Sequence, residues 1–213
     1  MLKLLMNVSF LLSTIAAASI ASACVPTART CTTPSAIRLV GTLLGVPDRA
    51  AGQFTVVVRD GAMNPLQGAS VVVDFSNLPD VSICGDQLDP DALVNTTYGT
   101  VRKFTGPDGS VTFTILGSGH AGALGTQNWA VCNIYANGSR IGTPTVSALD
   151  LDGSGGVGAN DLGVWLAQFG LQNPAFTLAD YDASGDVGAN DLTVWLDYYG
   201  AGTSVETCGP ARP

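Results

Sequence analysis

Alternating apolar and polar positions dominate the segment from residue 37 to 147. Apolar side chains occupy every second position in residues 69–75 and again after a Pro-Asp-Gly turn, so each run predicts a strand with one buried face. An Asn137-Gly138 pair between two further runs predicts a type I′ hairpin. About seven short strands of this kind favour a β-sandwich. The residues predicted to point inward are Val71, Val73, Phe75, Val111, Phe113 and Ile115, and those predicted to point outward are Val72, Asp74, Thr112 and Thr114.

The period changes to that of an amphipathic helix in the segment from residue 148 to 200. Apolar residues there recur at i, i+3, i+4 and i+7 in two separate runs, which predicts two helices. Gly170 and Gly200 stand where these helices should end. We expect Trp165 and Trp195 to pack in the core. The two apolar runs are Leu162, Trp165, Leu166 and Phe169, and Leu192, Trp195, Leu196 and Tyr199.

A twelve-residue segment occurs twice in nearly the same form, each time before a predicted helix. The two copies are DLDGSGGVGAND at 150–161 and DYDASGDVGAND at 180–191. Oxygen-bearing residues fall at positions 1, 3, 5 and 12 and glycine at position 6, which is the spacing of an EF-hand calcium loop. Position 7 contributes its backbone carbonyl in such loops. The sequence therefore predicts two Ca²⁺ sites. The candidate ligands are Asp150, Asp152, Ser154, Gly156 and Asp161 in the first loop, and Asp180, Asp182, Ser184, Asp186 and Asp191 in the second.

Charge is distributed very unevenly along the chain. The formal net charge is −8, and residues 148–200 contain eight Asp and no Lys, Arg or His. The rest of the chain is balanced, because nine acids there face nine bases. Nucleic acid is excluded as a partner by the lack of a basic patch. A cation is the natural partner of the acidic segment.

Each loop is followed by a helix but preceded by none, because TPTVSAL precedes the first loop and LQNPAFTLA, which contains Pro174, precedes the second. This doubled pattern, D-x-D-x-S-G-x-V-x-x-x-D-L, resembles the dockerin domain, a calcium-dependent module that docks onto cohesin modules. Many dockerins carry Asn at position 3 and Asp at position 5, where this chain has Asp and Ser. The resemblance implies a cohesin-like partner contacted through loop positions 10 and 11. An alternative is that these residues only start each helix. They are Ala159, Asn160, Ala189 and Asn190.

A second resemblance lies in the strand-rich segment. The stretch FTVVVRDGAMNPLQGASVVVDF, followed later by TGPDGSVTFTI, is similar to bacterial Ig-like domains of the invasin/intimin type. The resemblance implies a sandwich that acts as a spacer or presentation module, and it transfers no functional residue. Together the two resemblances imply a mainly β chain, an Ig-like β-sandwich followed by a small α dockerin-like domain of two calcium loop-helix units.

The first 23 residues have the pattern of a secretory signal peptide, with Lys3, an apolar stretch and Ala-Ser-Ala before Cys24. No later stretch is apolar and long enough to span a membrane. Export permits disulfides. We expect a bridge between Cys84 and Cys132, both in the strand-rich segment. The pairing of Cys24, Cys31 and Cys208 stays open, as does lipidation of Cys24.

Catalysis is not expected, because the chain has one Glu, Glu206, and one His, His120, and no paired carboxylates or nucleophile–base arrangement is recognisable. The predicted function is a secreted, non-catalytic protein that docks onto a cohesin-type scaffold or cell-surface partner, within a polysaccharide-degrading assembly. The alternatives are a polysaccharide-binding module, with Trp129 or Tyr98 as a stacking platform, and a stand-alone surface protein stabilised by calcium. The predicted segments are a signal peptide (1–23), a linker (24–36), the sandwich (37–147), the calcium domain (148–200) and a tail (201–213).

Overall fold

A computed structural model describes residues 25–120, 131–170 and 177–201 of the chain. The described residues form a mainly β structure of thirteen strands and three helices. The predicted signal peptide, Cys24, Trp129 and Cys208 lie outside the described residues. The strands are β1 (Ala36–Leu39), β2 (Thr42–Leu43), β3 (Val46–Pro47), β4 (Gln53–Val57), β5 (Ser70–Asp74), β6 (Val81–Ile83), β7 (Leu93–Asn95), β8 (Thr100–Phe104), β9 (Ser110–Thr114), β10 (Gly117–Gly119), β11 (Asn133–Ala136), β12 (Ser139–Gly142) and β13 (Thr145–Ala148). The helices are α1 (Arg49–Gly52), α2 (Ala159–Gln168) and α3 (Ala189–Ala201).

The largest sheet has five strands in the order β12-β11-β5-β8-β7, and every neighbouring pair in it is antiparallel. Three further antiparallel pairs are formed by β2 with β3, β4 with β9 and β6 with β10. Strands β1 and β13 pair in parallel, with Arg38 opposite Ser147. This parallel pair brings the first and last strands together, immediately before the first acidic loop.

The alternation of strand residues is confirmed at most positions. All six residues predicted to point inward are buried, whereas Val72, Asp74 and Thr112 are partly exposed. Thr114 is an exception, because it is also buried. It ends β9 and leads directly into the buried residues Ile115 and Leu116, so the chain leaves the regular face of the strand there.

The predicted hairpin at Asn137-Gly138 is confirmed. Its two turn residues have φ angles of 47° and 82°, the left-handed values that a type I′ turn requires at both positions. The Asn137 side chain also accepts a hydrogen bond of 2.9 Å from the backbone N–H of Ser70 on the neighbouring strand. The turn therefore fixes the pairing of β11 and β12 and ties it to β5.

A single cluster of buried side chains runs from the strands into the acidic segment. Trp165 and Trp195 belong to it, as predicted, and so do Leu151 and Val187 of the two loops. Helix α2 ends at Gln168, and Gly170 follows with a φ of 82°, as expected of a helix stop. Helix α3 continues to Ala201, so the predicted stop at Gly200 is wrong.

The predicted disulfide between Cys84 and Cys132 is wrong. Cys84 is disulfide-bonded, but Cys132 is a free thiol. The two residues flank strands of different sheets: Cys84 follows β6 and donates its N–H to Leu116, whereas Cys132 precedes β11 and donates its N–H to Pro144. Complete burial raises the pKa of the Cys132 thiol far above its usual value. The Cys132 thiol is therefore a buried apolar group of the core.

Among the described residues, none of the helices combines the length and apolar character that crossing a membrane requires.

Candidate metal centres

Asp161, the acid at position 12, closes the first loop. One of its carboxylate oxygens accepts hydrogen bonds from the backbone N–H groups of Leu151 (2.6 Å) and Asp152 (3.1 Å). The other oxygen accepts from the N–H of Gly158 (2.6 Å), just before α2 begins. A single buried carboxylate therefore joins both ends of the loop and also caps the helix.

Asp150, at position 1, organises the middle of the same loop. Its two oxygens accept from the N–H groups of Gly153 (2.8 Å) and Gly155 (3.0 Å). Asp152 accepts from the N–H of Ser154 (2.9 Å). As a result, one oxygen from each of Asp150, Asp152 and Asp161 lies within 4.8 Å of the other two. Three convergent carboxylates of this kind suit a hard cation.

The second loop repeats this arrangement almost bond for bond. Asp191 accepts from Tyr181 (2.6 Å) and Asp182 (3.1 Å) through one oxygen and from Gly188 (2.8 Å) through the other. Carboxylate oxygens of Asp180, Asp182 and Asp191 again lie within 4.8 Å of one another. Asp180 accepts from the N–H groups of Ser184 (3.1 Å) and Gly185 (3.2 Å).

Both loops bend through the same two left-handed residues, at positions 4 and 6. The φ angles are 71° at Gly153 and 95° at Gly155, against 56° at Ala183 and 102° at Gly185. Glycine adopts this conformation without penalty, but a residue with a Cβ does not. The first loop also passes close to the β region, because a Cβ at Gly153 would lie 2.8 Å from the backbone oxygen of Gly119. Ala183 therefore holds local strain that Gly153 avoids.

The carboxylates of both loops are crowded and have no basic partner. Asp150, Asp161, Asp180 and Asp191 are buried, and the ion pairs among the described residues involve Lys103 of β8 instead. Burial, together with the charge of Asp161, raises the pKa of the Asp150 carboxyl to about 6. Burial also raises the pKa of Asp161 and of Asp180. A cation bound among these carboxylates would compensate their buried negative charge.

The remaining predicted ligands are placed at the rim of each loop. Ser154, Ser184 and Asp186 are exposed, and Gly156 is partly exposed. The Ser184 hydroxyl donates to a carboxylate oxygen of Asp186 at 2.9 Å. Asp186 is not part of the group of three converging acids, so the core of each candidate site is formed by positions 1, 3 and 12.

The exposed faces of α2 and α3 differ from the predicted ones. The predicted contact residues at loop positions 10 and 11, which begin the helices, are exposed in both halves. Trp165 and Trp195 are buried, but four apolar residues beside them, predicted to share their buried face, are not. These are Leu166 (59% exposed), Phe169 (58%), Leu196 (50%) and Tyr199 (50%).

Contacts between the loops and the β region involve residues that the sequence reasoning did not single out. The carbonyl oxygen of Asp150 accepts a hydrogen bond from the N–H of Gly119 at 2.7 Å. A Cβ at Gly119 would collide with the Leu151 backbone, so only glycine permits this approach. Arg38 of β1 donates to the carbonyl of Tyr181 at 2.5 Å. In the sequence, the only feature that points to this contact is the position of Arg38 within an otherwise apolar run.

Comparisons of the chain with protein-family models, with curated proteins and with solved structures gave no match.

Protonation of Asp150 should stabilise the cation-free protein. The folded chain takes up this proton as the pH falls through about 6, whereas the unfolded chain takes it up near the ordinary value of 3.8. Between these values the folded state binds more protons, so its stability decreases as the pH rises. In chelator, we expect Asp150→Asn to unfold at a higher temperature than wild type at pH 7, and at a similar temperature at pH 4.5.

Thermal unfolding followed by circular dichroism measures this difference. The comparison with Asp150→Asn at each pH cancels the titration of the other carboxylates. A gap between the two proteins that is equal at both pH values would contradict the raised pKa.

Relief of the left-handed strain at position 4 should stabilise the second loop. Ala183→Gly should raise the free energy of unfolding by about 0.5–1 kcal/mol, since the cost of a left-handed Cβ exceeds the backbone entropy lost by glycine. Gly153→Ala, the matched exchange in the first loop, should lower it by more than about 1 kcal/mol, because the new Cβ also meets the Gly119 oxygen. Urea unfolding of the three proteins in excess calcium tests both signs, and a stabilising Gly153→Ala would refute the geometry.

Proposed function

We propose that this protein is a secreted, non-catalytic docking protein that binds one Ca²⁺ in each loop. The calcium-loaded unit of residues 148–200 docks onto a cohesin-like partner and presents an Ig-like β-sandwich. One observation carries the proposal: two loops thirty residues apart hold the same three carboxylates in the same network of backbone hydrogen bonds.

Calcium suits these loops better than other common cations. The donors are carboxylates, hydroxyls and backbone carbonyls, which are the ligands of hard cations. Zinc, by contrast, prefers thiolate and imidazole donors, and no Cys or His lies within either loop. Oxygens of positions 5 and 7 lie at the rim of each loop and would add to the coordination shell of 6–8 oxygens that calcium accepts.

The dockerin-like interpretation rests on what surrounds the loops. Strand β13 leads into the first loop and a turn at residues 178–179 into the second, so the described residues contain no entering helix. Each exiting helix exposes the residues at loop positions 10 and 11 and, beyond them, a pair of large apolar side chains. Two equivalent surfaces of this kind suit a partner that binds in either of two related orientations.

The β region suits the role of a presented module. Its five-stranded antiparallel sheet and smaller strand pairs surround one core, in keeping with an Ig-like sandwich. In such an arrangement the docking unit would bring the sandwich to a scaffold or cell surface, within a polysaccharide-degrading assembly.

Two alternatives make different use of the same features. A polysaccharide-binding module would use an exposed aromatic ring, and Tyr98 between β7 and β8 is exposed. A stand-alone surface protein would use calcium for stability alone. In both cases calcium binding would persist and the duplicated helix surfaces would serve no partner, so variants of those surfaces separate docking from both alternatives.

Calcium titration should reveal two sites per chain. Asp150→Ala and Asp180→Ala should each reduce the stoichiometry to one, because each removes a buried carboxylate from a different group of three. Asp197→Ala, a control that removes an exposed acid of α3 outside the loops, should leave it at two. Isothermal titration calorimetry of the calcium-depleted full chain measures these values. Absence of binding to the wild type, or one site in all four proteins, would overturn the calcium assignment.

Docking should survive the loss of one surface but not of both. Exchange of Ala159 and Asn160 for Arg should remove one orientation, and added exchange of Ala189 and Asn190 should weaken binding by at least 100-fold, about 2.7 kcal/mol. Calcium affinity should stay near wild type, since positions 10 and 11 are not ligands. The partner is a cohesin-type module from the extracellular proteins of the same organism, titrated in calcium and in chelator.

Matched exchanges on the β region provide the control for this experiment. Replacement of the exposed residues Ser76 and Asn77 by Arg adds two positive charges away from the helices, as many as one pair of helix exchanges adds, and should leave binding unchanged. Undiminished binding by the variant that carries all four helix exchanges would mean that the repeated surface is only a scaffold stabilised by calcium.

A further inference from the structure

Arg38 of β1 joins the second loop to the β region through both of its terminal nitrogens. Nη1 donates to the carbonyl of Ala51 in α1 at 3.3 Å, and Nη2 donates to the carbonyl of Tyr181 in the second loop at 2.5 Å. The guanidinium carbon also lies 5.9 Å from the ring centroids of Tyr181 and Tyr198, within the range of a cation–π interaction. One side chain therefore touches a strand, a helix and the acidic unit.

The surroundings of Arg38 are tightly built on the side of the β region. A Cβ at Gly52 would lie 2.8 Å from the backbone oxygen of Arg38, so α1 rests directly on β1. A small cavity of about 170 Å³ remains beside the guanidinium and the Tyr181 side chain. Among the described residues, the Tyr181 hydroxyl and Arg38 Nε have no hydrogen-bond partner. The junction thus depends on the two Nη bonds and the ring contacts.

Tyr181 connects this junction to the candidate metal centre within a single residue. Its N–H donates to Asp191, the acid at position 12, and its carbonyl oxygen accepts from Arg38. A cation held by Asp191 would fix the orientation of this residue, and hence the position of the carbonyl that Arg38 binds. Calcium in the second loop would in this way affect α1 and β1, where Arg38 lies 143 residues before Tyr181 in the chain.

The first loop is anchored elsewhere. The Leu151 N–H donates to Asp161 in the equivalent bond, but the adjoining contact with the β region runs from Gly119 of β10 to the Asp150 carbonyl. The corresponding side chain, Leu151, is apolar and buried in the core. Leu149, the residue before the first loop, also donates to Leu39 of β1, but it is the second loop that contacts the Arg38 side chain and through it α1, so the effects of the two loops on α1 should differ.

We propose that Arg38 couples cation occupancy of the second loop to the stability of β1 and α1, so that calcium orders the presented β region as well as the docking unit. This coupling rests on the calcium binding proposed above. With this coupling, calcium binding fixes the orientation of the β region relative to the docking unit.

Hydrogen exchange of the full chain, read by mass spectrometry with and without calcium, tests the coupling. Amides of α1 are the reporter because they are distant in sequence from the loops. Calcium at about 100 times its dissociation constant should slow their exchange by up to about 100-fold, the factor by which it shifts the equilibrium. Asp180→Asn, which disables the second loop, should abolish this change in α1. Asp150→Asn should leave it in place.

Variants at the junction complete the experiment. Arg38→Ala should remove the calcium effect on α1 while α2 and α3 still gain protection. Tyr181→Phe should keep the effect, because it retains the ring and the carbonyl and removes only the hydroxyl without a partner. Arg102→Ala is the matched control: its guanidinium also lies over a ring, that of Phe104, but away from the junction, so it should resemble wild type.

The outcomes separate this coupling from the calcium proposal itself. Calcium that protects the loops and helices but leaves α1 unchanged in the wild type overturns the coupling alone, as does an effect that survives Asp180→Asn. If Arg38→Ala does not fold, hydrogen exchange of the wild type and of Asp180→Asn still tests the coupling. Absence of calcium binding in calorimetry overturns both proposals, and exchange would then be unaffected throughout the chain.

Discussion

The structure of the C-terminal unit depends on the carboxylates of Asp161 and Asp191. Each is buried and accepts three backbone N–H bonds, two from the start of its loop and one from the residue before its helix. These bonds close the loop and place the carboxylate in the first turn, where the helix dipole favours negative charge. The short side chain of aspartate suits this task, because the same group must reach the helix start and face the neighbouring acids.

That construction leaves negative charge concentrated where water is scarce. Burial raises the pKa of Asp150 to about 6, which shows how strongly the site disfavours another charged carboxylate. Protonation removes the charge of Asp150 below about pH 6, whereas a bound cation would compensate it at neutral pH. Folding of this unit and binding of a divalent ion are therefore expected to be linked. Residues 148–200 contain no Lys, Arg or His that could neutralise these carboxylates from within the segment.

Local chemistry made the loops and the Asn137-Gly138 hairpin predictable, since ligand spacing and left-handed backbone are both written in neighbouring residues. Long-range packing explains the failures. Strand β10, Gly117–Gly119, has little strand propensity but pairs closely with β6, which glycine permits because a Cβ at Gly117 would lie 2.7 Å from the backbone oxygen of Ser82. The helical spacing of apolar residues correctly identified the buried Trp165. Leu166 belongs to the same apolar run, but it lies on the exposed side of α2. The predicted Cys84–Cys132 disulfide is wrong because the sequence alone does not show which strands lie next to each other in the sheets.

The junction at Arg38 shows how a local repeat acquires different roles in its two halves. Both loops present a position-2 residue whose N–H binds the position-12 acid, yet one is Leu151 in the core and the other Tyr181 against an arginine. The difference arises from the strand each loop meets, β10 for the first and β1 for the second. The candidate cation site is thus duplicated, whereas the contacts of its two copies with the β region differ. Backbone hydrogen bonds from Leu149 to Leu39 and from Ala148 to Leu178 add to these contacts, so the C-terminal unit is held to the β region at several points and its two loops are not interchangeable.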